Sequence, residues 1–173
     1  MNSYFVNNFN RMDAAELCEY IEKRHHTYVR ETSAELLDHL KASVELEGVK
    51  HPELHRILAA FIKLKEELEQ HFNREEKILF PLVRELRSDT KKRTEAGTDQ
   101  KLLEKPLLKM NEEHKIIYSL LHELRELSAD YKAPSSAAPM FKKSFSELHD
   151  LEDDLMRQFY LEENILNVKL LTP

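Results

Sequence analysis

A nine-residue pattern occurs twice in the sequence, at 71–79 and at 158–166. The two segments read HFNREEKIL and QFYLEENIL, and five of the nine positions are identical. His71 and Glu75 are four residues apart, and Gln158 and Glu162 have the same spacing. Residues with this spacing lie one turn apart on one face of an α-helix, so such an imidazole can bind a metal ion while the carboxylate reaches a second. Two such helices facing each other would form a dinuclear carboxylate–histidine site.

The alternative is that Glu75 and Glu162 are ordinary solvent-facing glutamates, which are common in a chain with 34 % charged residues. For either residue alone, that interpretation is the better one. The repeat, with apolar residues on both sides of each copy, favours the metal interpretation. The other helices must then supply histidines, and His114 is one candidate. His25 and His26 would point about 100° apart on a helix, so they cannot both face one site.

Helical periodicity predicts the elements that would position these residues. Apolar residues recur at three- and four-residue steps, and four helices are predicted at about 13–47, 52–87, 102–131 and 139–170. Gly48 is expected to close the first helix, and Pro81 to kink or end the second. The polar stretch 88–101 is predicted to be a mobile loop. Short connections between long amphipathic helices imply antiparallel neighbours, so the prediction is a single all-α domain over 1–173, an up-down four-helix bundle.

Composition and charge exclude several other classes of protein. Two glycines in 173 residues leave little for a phosphate-binding loop or a Rossmann fold. A net charge of −6 argues against a general nucleic-acid binder. No apolar run approaches the roughly 18 residues of a membrane span, and the N-terminus lacks a secretory signal pattern. A single cysteine, Cys18, cannot form an internal disulfide, so a cytoplasmic location is predicted.

Several segments around the repeat resemble the hemerythrin-like (HHE cation-binding) domain, over about residues 14–170. They are Tyr20-Ile21, His25-His26 through Glu31, Gly48 with His51-Pro52-Glu53-Leu54, His71-x-x-x-Glu75-Glu76 with Leu79-Phe80-Pro81, Glu113-His114, and Leu161-Glu162-x-Asn164-Ile165-Leu166. More narrowly, the chain is similar to the repair-of-iron-centres family. The di-iron bundles of that family are linked to mending iron–sulfur sites after nitric oxide or oxidative damage.

The resemblance implies two iron ions and seven ligands. These fall into three groups: His26 and His71 for one metal; Glu47, His114 and Gln158 for the other; and Glu75 and Glu162 as bridges. The family uses the second histidine of the pair, which selects His26, whereas periodicity alone prefers His25. Glu47 and Gln158 stand where family members usually carry histidine. Because an amide oxygen is a poor ligand, the second position is expected to bind metal more weakly and to accept manganese as an alternative to iron.

The function implied by the resemblance is that of a non-haem di-iron protein in nitrosative and oxidative stress and in iron–sulfur cluster repair. Its partners would be O2, NO or peroxide, together with damaged iron–sulfur proteins. Two alternatives stay open: a module that binds or senses O2 or NO, and a helical protein with a partly degenerate metal site. No nucleophile or acid–base constellation stands apart from the ligands, so no catalytic residue is assigned.

Overall fold

The structure is a computed structural model that describes residues 9–88 and 98–171. In chain order its elements are α1 (Ala14–Tyr20), π1 (Ile21–His26), α2 (Thr27–Glu47), α3 (Glu53–Arg74), π2 (Glu75–Leu79), α4 (Phe80–Ser88), α5 (Thr98–Leu127), α6 (Pro139–Leu161), π3 (Glu162–Leu166) and α7 (Asn167–Leu171). These form four long rods: α1–π1–α2, α3–π2–α4, α5 alone, and α6–π3–α7. The first and second rods pack against each other through α2 and α3. In addition, α2 contacts α6 of the fourth rod, and α3 contacts α5.

The first rod begins and ends where its capping residues require. The Asp13 carboxylate accepts a hydrogen bond from the Glu16 N–H, and the Glu16 carboxylate accepts one from the Asp13 N–H, both at 2.8 Å. This reciprocal pair satisfies two backbone donors at the start of α1. At the other end the Gly48 N–H donates to the Val44 carbonyl.

The structure bears on two predicted features of the helices. The second rod does not end at Pro81 but continues to Ser88, close to the predicted bound at 87. Just before the proline, the Phe80 N–H bonds to the Glu75 carbonyl five residues back, so the backbone has already left the regular α-helical pattern where the proline N–H is missing. The third rod ends at Leu127, because 129–131 adopt positive φ angles of 49–61° and reverse the chain. The predicted loop at 88–101 is wrong at both ends, since Ser88 belongs to α4 and α5 begins at Thr98. The rest of it, 89–97, lies outside the described residues.

Two apolar clusters fill the bundle, one on each side of a buried polar layer. In the first rod the smaller cluster ends at Ile21, and the larger cluster begins at Val29. In the second rod the order is reversed, since the larger cluster ends at Phe72 and the smaller begins at Leu79. The third rod again runs from the smaller cluster to the larger, and the fourth from the larger to the smaller. Successive rods therefore run in opposite directions, which confirms the predicted all-α, up-down four-helix bundle.

The polar layer lies between the two clusters and is the feature that the fold serves to position. Its members are His26, His71, Glu75, Glu113, His114, Gln158 and Glu162, each no more than 3 % exposed. All four rods contribute to it. Among the described residues, no helix is both long enough and apolar enough to cross a membrane.

Two adjacent residues of α3 provide a test of where the core lies. Phe61 is completely buried in the larger cluster, whereas its neighbour Ile62 is 39 % exposed. We expect Phe61→Ala to lower the free energy of unfolding by about 3–5 kcal/mol, through lost burial and an unfilled cavity. Ile62→Ala is the matched control, and we expect it to cost well under half as much. Urea unfolding followed by circular dichroism measures both, and equal losses would contradict the packing described above.

Candidate metal centre

Four side chains from three rods form a tight cluster inside the polar layer. His71 and Glu75 come from the second rod, His114 from the third and Glu162 from the fourth, and one ligand atom of each lies within 4.8 Å of all the others. The Nε2 atoms of His71 and His114 are 3.3 Å apart. His114 Nε2 lies 2.9 Å from Glu162 Oε2. Two ligands held at about 2.1 Å from one ion and at right angles lie about 3 Å apart, so the separation of His114 Nε2 and Glu162 Oε2 suits two ligands of one ion.

His26 extends the cluster on the side of the first rod. Its Nε2 lies 3.1 Å from Glu75 Oε2, and its ring stacks on Phe72 with a centroid separation of 4.1 Å. Glu75 Oε2 is also 3.5 Å from His71 Nε2. One carboxylate therefore lies between two imidazoles that come from different rods.

Gln158 joins the cluster from the fourth rod, one turn before Glu162. Its amide Nε2 donates a hydrogen bond of 2.9 Å to Glu162 Oε1. The reversed amide would set an oxygen against the carboxylate, so this hydrogen bond fixes which way the amide points. Gln158 Oε1 is buried and has no hydrogen-bond partner. That oxygen is free to act as a neutral ligand.

The donor atoms of the cluster fit a bound cation. Both carboxylate oxygens of Glu75, together with Glu162 Oε2 and His26 Nε2, are buried without a well-oriented hydrogen bond. A buried carboxylate without donors is costly, and a cation would satisfy it. Imidazole nitrogens combined with carboxylate oxygens suit divalent transition metals.

Each of the three imidazoles is oriented by a carboxylate on its outer nitrogen. The pairs are His26 Nδ1 with Glu76 at 2.8 Å, His71 Nδ1 with Glu113 at 3.2 Å, and His114 Nδ1 with Glu163 at 2.7 Å. When Nδ1–H donates to a carboxylate, the lone pair of Nε2 points towards the centre and becomes more basic. The arrangement is the usual support for metal-binding histidines.

The orienting carboxylates are themselves held in place. Arg30 donates to both oxygens of Glu76, at 2.7 and 3.2 Å. Arg74 forms an ion pair with Glu113. The third carboxylate, Glu163, accepts instead from a phenol, the Tyr118 hydroxyl, at 3.2 Å.

The duplicated sequence pattern explains much of this geometry. In each copy the first glutamate of the Glu-Glu pair turns to the cluster and the second turns to a histidine of a neighbouring rod. Glu75 and Glu76 begin π2, and Glu162 and Glu163 begin π3. A π-type turn is rare and occurs frequently at functional sites. Here, in each such turn, one glutamate faces the cluster and the next contacts a histidine of that cluster from outside.

The structure brings six of the seven predicted ligands together and separates the seventh. Glu47 does not join His26 in the polar layer, because the 21 residues of the continuous helix α2 place the two about 30 Å apart. The Glu47 carboxylate instead accepts a hydrogen bond from the Ala138 N–H at 2.9 Å, at the start of α6. The predicted ligand set therefore loses Glu47, which serves as a cap for the fourth rod.

The orienting carboxylates are not among the site residues predicted from the sequence. Two of them carried a signal, since Glu76 and Glu163 occupy an identical position of the repeat. Glu113 directly precedes His114 but pairs with His71 of the adjacent rod, a relation that spacing along one helix cannot indicate.

The layer is strongly charged in the absence of a metal. Burial by itself lowers the pKa of His26, but contacts with Glu75 and Glu76 outweigh it and raise the pKa to about 9. Burial likewise opposes protonation of His114, yet Glu162 and Glu163 raise its pKa to about 9. In metal-free protein near pH 7, protons on these imidazoles therefore supply the positive charge that a cation would supply. Metal binding must displace the proton from each Nε2.

A buried set of imidazoles and carboxylates between two halves of an up-down bundle defines a cation-binding helical domain. The family model described as the hemerythrin HHE cation binding domain matches residues 20–170, and the chain belongs to this family.

Curated relatives share the domain at modest identity. A probable iron-sulfur cluster repair protein of Haemophilus influenzae is 26 % identical over 157 residues, covering 91 % of this chain and 65 % of the relative. The iron-sulfur cluster repair protein ScdA of Staphylococcus haemolyticus is 24 % identical and is covered to 68 % of its length, with 92 % of this chain. The iron-sulfur cluster repair protein YtfE of Salmonella paratyphi B is 29 % identical over 88 % of this chain. This chain spans about two thirds of the length of these relatives.

The raised pKa values predict how the stability of the metal-free protein depends on pH. The folded-state pKa values of His26 and His114, about 9, exceed the ordinary value of 6.5. Their contribution to stability is therefore complete below about pH 6.5 and is lost as the pH rises through about 9. We expect the Tm of chelator-treated protein to fall between pH 7 and 9.5, and the Tm of metal-loaded protein to change much less. A metal-free Tm that is constant or rises over this interval would contradict the charge balance described here.

Proposed function

We propose that this protein is a non-haem di-iron protein of the iron-centre repair type, which acts on iron–sulfur proteins damaged by nitrosative or oxidative stress. The observation that carries the proposal is the buried set of three oriented imidazoles and two carboxylates in the polar layer. The printed names of the relatives supply the class of target, a damaged iron–sulfur cluster. The proposal keeps the cytoplasmic location predicted from the sequence.

Two metal positions are proposed within the layer. His26 and His71 would hold one ion, because both imidazoles lie beside Glu75. His114 would hold the other beside Glu162, with Gln158 as a neutral neighbour. Glu75 and Glu162 would bridge the two positions. The second position has one imidazole and an amide, so it would bind iron more weakly and accept manganese as an alternative.

Bound iron would supply electron transfer and a binding position for NO or peroxide, and is also the cargo that a damaged cluster needs. The protein residues hold and shield that site. Glu76, Glu113 and Glu163 keep the imidazoles aimed inward, and the two apolar clusters exclude water from above and below the layer.

A cavity beside Glu75 supports small uncharged ligands as partners. It has a volume of about 70 Å³ and lies between the second rod and α5. Ile78, Leu79, Pro106 and Met110 line it together with Glu75 of the cluster and three further charged residues, Arg74, Lys109 and Glu113. A space of this size suits a diatomic molecule better than an organic substrate.

The same cavity favours the second candidate function, a module that binds or senses O2 or NO reversibly without repair. Both functions require that a small ligand reaches the metal centre. Only the repair function also requires that a damaged iron–sulfur cluster is restored. The third alternative, a helical protein with a degenerate site, would bind no metal tightly.

Metal stoichiometry tests the proposed difference between the two positions. We expect wild-type protein to hold one iron firmly and to lose the second first during dialysis against a weak chelator. Gln158→His should raise retained iron towards two per chain, because an imidazole replaces an amide beside Glu162. Iron analysis of both proteins, purified side by side, measures the effect. Two equally retained irons in the wild type would show that Gln158 does not weaken the position.

Recovery of a damaged cluster enzyme tests the function itself. A [4Fe–4S] hydratase is inactivated with NO and then incubated with the iron-loaded protein and a thiol reductant. We expect recovery several-fold faster than with reductant alone. Glu75→Gln should abolish the gain because it removes a bridging carboxylate, and Glu66→Gln, an exposed position on the same rod, is the matched control. Tight NO binding without recovery of the hydratase would favour the sensing module instead.

A further inference from the structure

A second buried histidine–carboxylate pair lies next to the metal centre and is not part of it. His25 is 3 % exposed, and its Nδ1 lies 2.8 Å from Oδ2 of Asp154, whose side chain is 5 % exposed. The pair joins π1 of the first rod to α6 of the fourth. Arg24 approaches the same carboxylate at 3.7 Å but is half exposed.

The pair resolves the conflict between two adjacent histidines. On a regular helix His25 and His26 would point about 100° apart, yet both are buried. They turn to different rods, His25 to Asp154 on α6 and His26 to Glu76 in π2. The segment between Ile21 and His26 is π-helical. This rare turn is therefore fastened at its end by two carboxylates that belong to two different helices.

The position of Asp154 connects this fastening to the metal centre. Asp154, Gln158 and Glu162 follow one another at intervals of four, so they share a face of the fourth rod. The hydrogen bond between His25 and Asp154 consequently fixes the position of π1 along the bundle axis relative to Glu162. It thereby also sets where the imidazole of the next residue, His26, stands in the polar layer.

His25 acts through one nitrogen only. Its Nε2 is buried without a hydrogen-bond partner, and the ring does not belong to the cluster of possible ligands found among the described residues. Removing either partner of a buried pair leaves the other charge uncompensated, whereas replacing both by apolar residues is often neutral for stability. Both side chains can thus be replaced together without leaving an unpaired polar group in the core.

We propose that His25 and Asp154 are positioning residues, whose buried bond holds π1 and aims His26 at the metal centre. The inference rests on the proposed role of His26 as a ligand. His25, which is not a proposed ligand, thereby has the function of positioning His26.

The test uses cobalt(II) as the probe, added to metal-free protein in competition with a coloured chelator. The double variant His25→Phe with Asp154→Leu should fold, as judged by circular dichroism, but bind cobalt at the His26 position at least tenfold more weakly. Its visible d–d spectrum should also change, because one imidazole is no longer in place. Asp154→Asn keeps an acceptor for the His25 Nδ1–H, and we expect it to stay within threefold of the wild type.

The chain offers a matched control on the same pair of rods, the first and the fourth. His39 of α2 and Glu147 of α6 are 2.7 Å apart and about a fifth exposed, well away from the polar layer. His39→Phe with Glu147→Leu should leave cobalt affinity and spectrum unchanged. If the first double variant does not fold, His25→Leu with Asp154→Ala takes its place, with the same loss expected.

Wild-type affinity and spectrum in a folded double variant that lacks both His25 and Asp154 would overturn this inference but not the proposed metal centre. A wild type that binds no cobalt would overturn the proposed metal centre and this inference with it.

Discussion

Carboxylates placed inside an apolar core need positive charge beside them, and most of the structure follows from this constraint. Glu75 and Glu162 are completely shielded from water, between two clusters of aliphatic and aromatic side chains. Their charge is balanced by imidazoles, which are themselves balanced by Glu76, Glu113 and Glu163 on their outer nitrogens. Charge of alternating sign thus extends outward from the centre until it reaches groups in contact with water. The outer carboxylates lower the cost of burying the imidazoles, and the imidazoles lower the cost of burying Glu75 and Glu162.

The backbone departs from α-helical geometry where this charge is concentrated. The three π-type segments carry the only adjacent buried histidines and both Glu-Glu pairs of the repeat. A regular helix sends neighbouring side chains in directions about 100° apart. The wider turn allows both members of a pair to find partners of opposite charge, although it costs regular hydrogen bonding.

Sequence reasoning predicts the bundle and the centre of the site, because both depend on spacing within a single helix. The apolar periodicity indicates the rods, and the four-residue spacing of His71 and Glu75 indicates one half of the cluster. Glu47 shows where prediction by resemblance fails. The resemblance assigns it as a ligand, but the continuous helix α2 places it about 30 Å from His26. The pairing of Glu113 with His71 depends on how two rods are placed side by side. Contacts between rods are set by packing, which one-dimensional patterns do not contain.

Division of the core into two clusters has a consequence for how the domain loses its structure. The smaller cluster draws on the chain near both ends of the described region, from Phe9 to Leu170, and is joined to the larger one through the polar layer. When the layer has no cation, protonated imidazoles take its place, and they hold the carboxylates of different rods together less firmly than a shared metal ion would. The smaller half would then open more often than the larger, and proteases would cut it first. Degradation by such a route would remove metal-free chains selectively and leave loaded ones, so that the metal content of the surviving population is maintained by turnover.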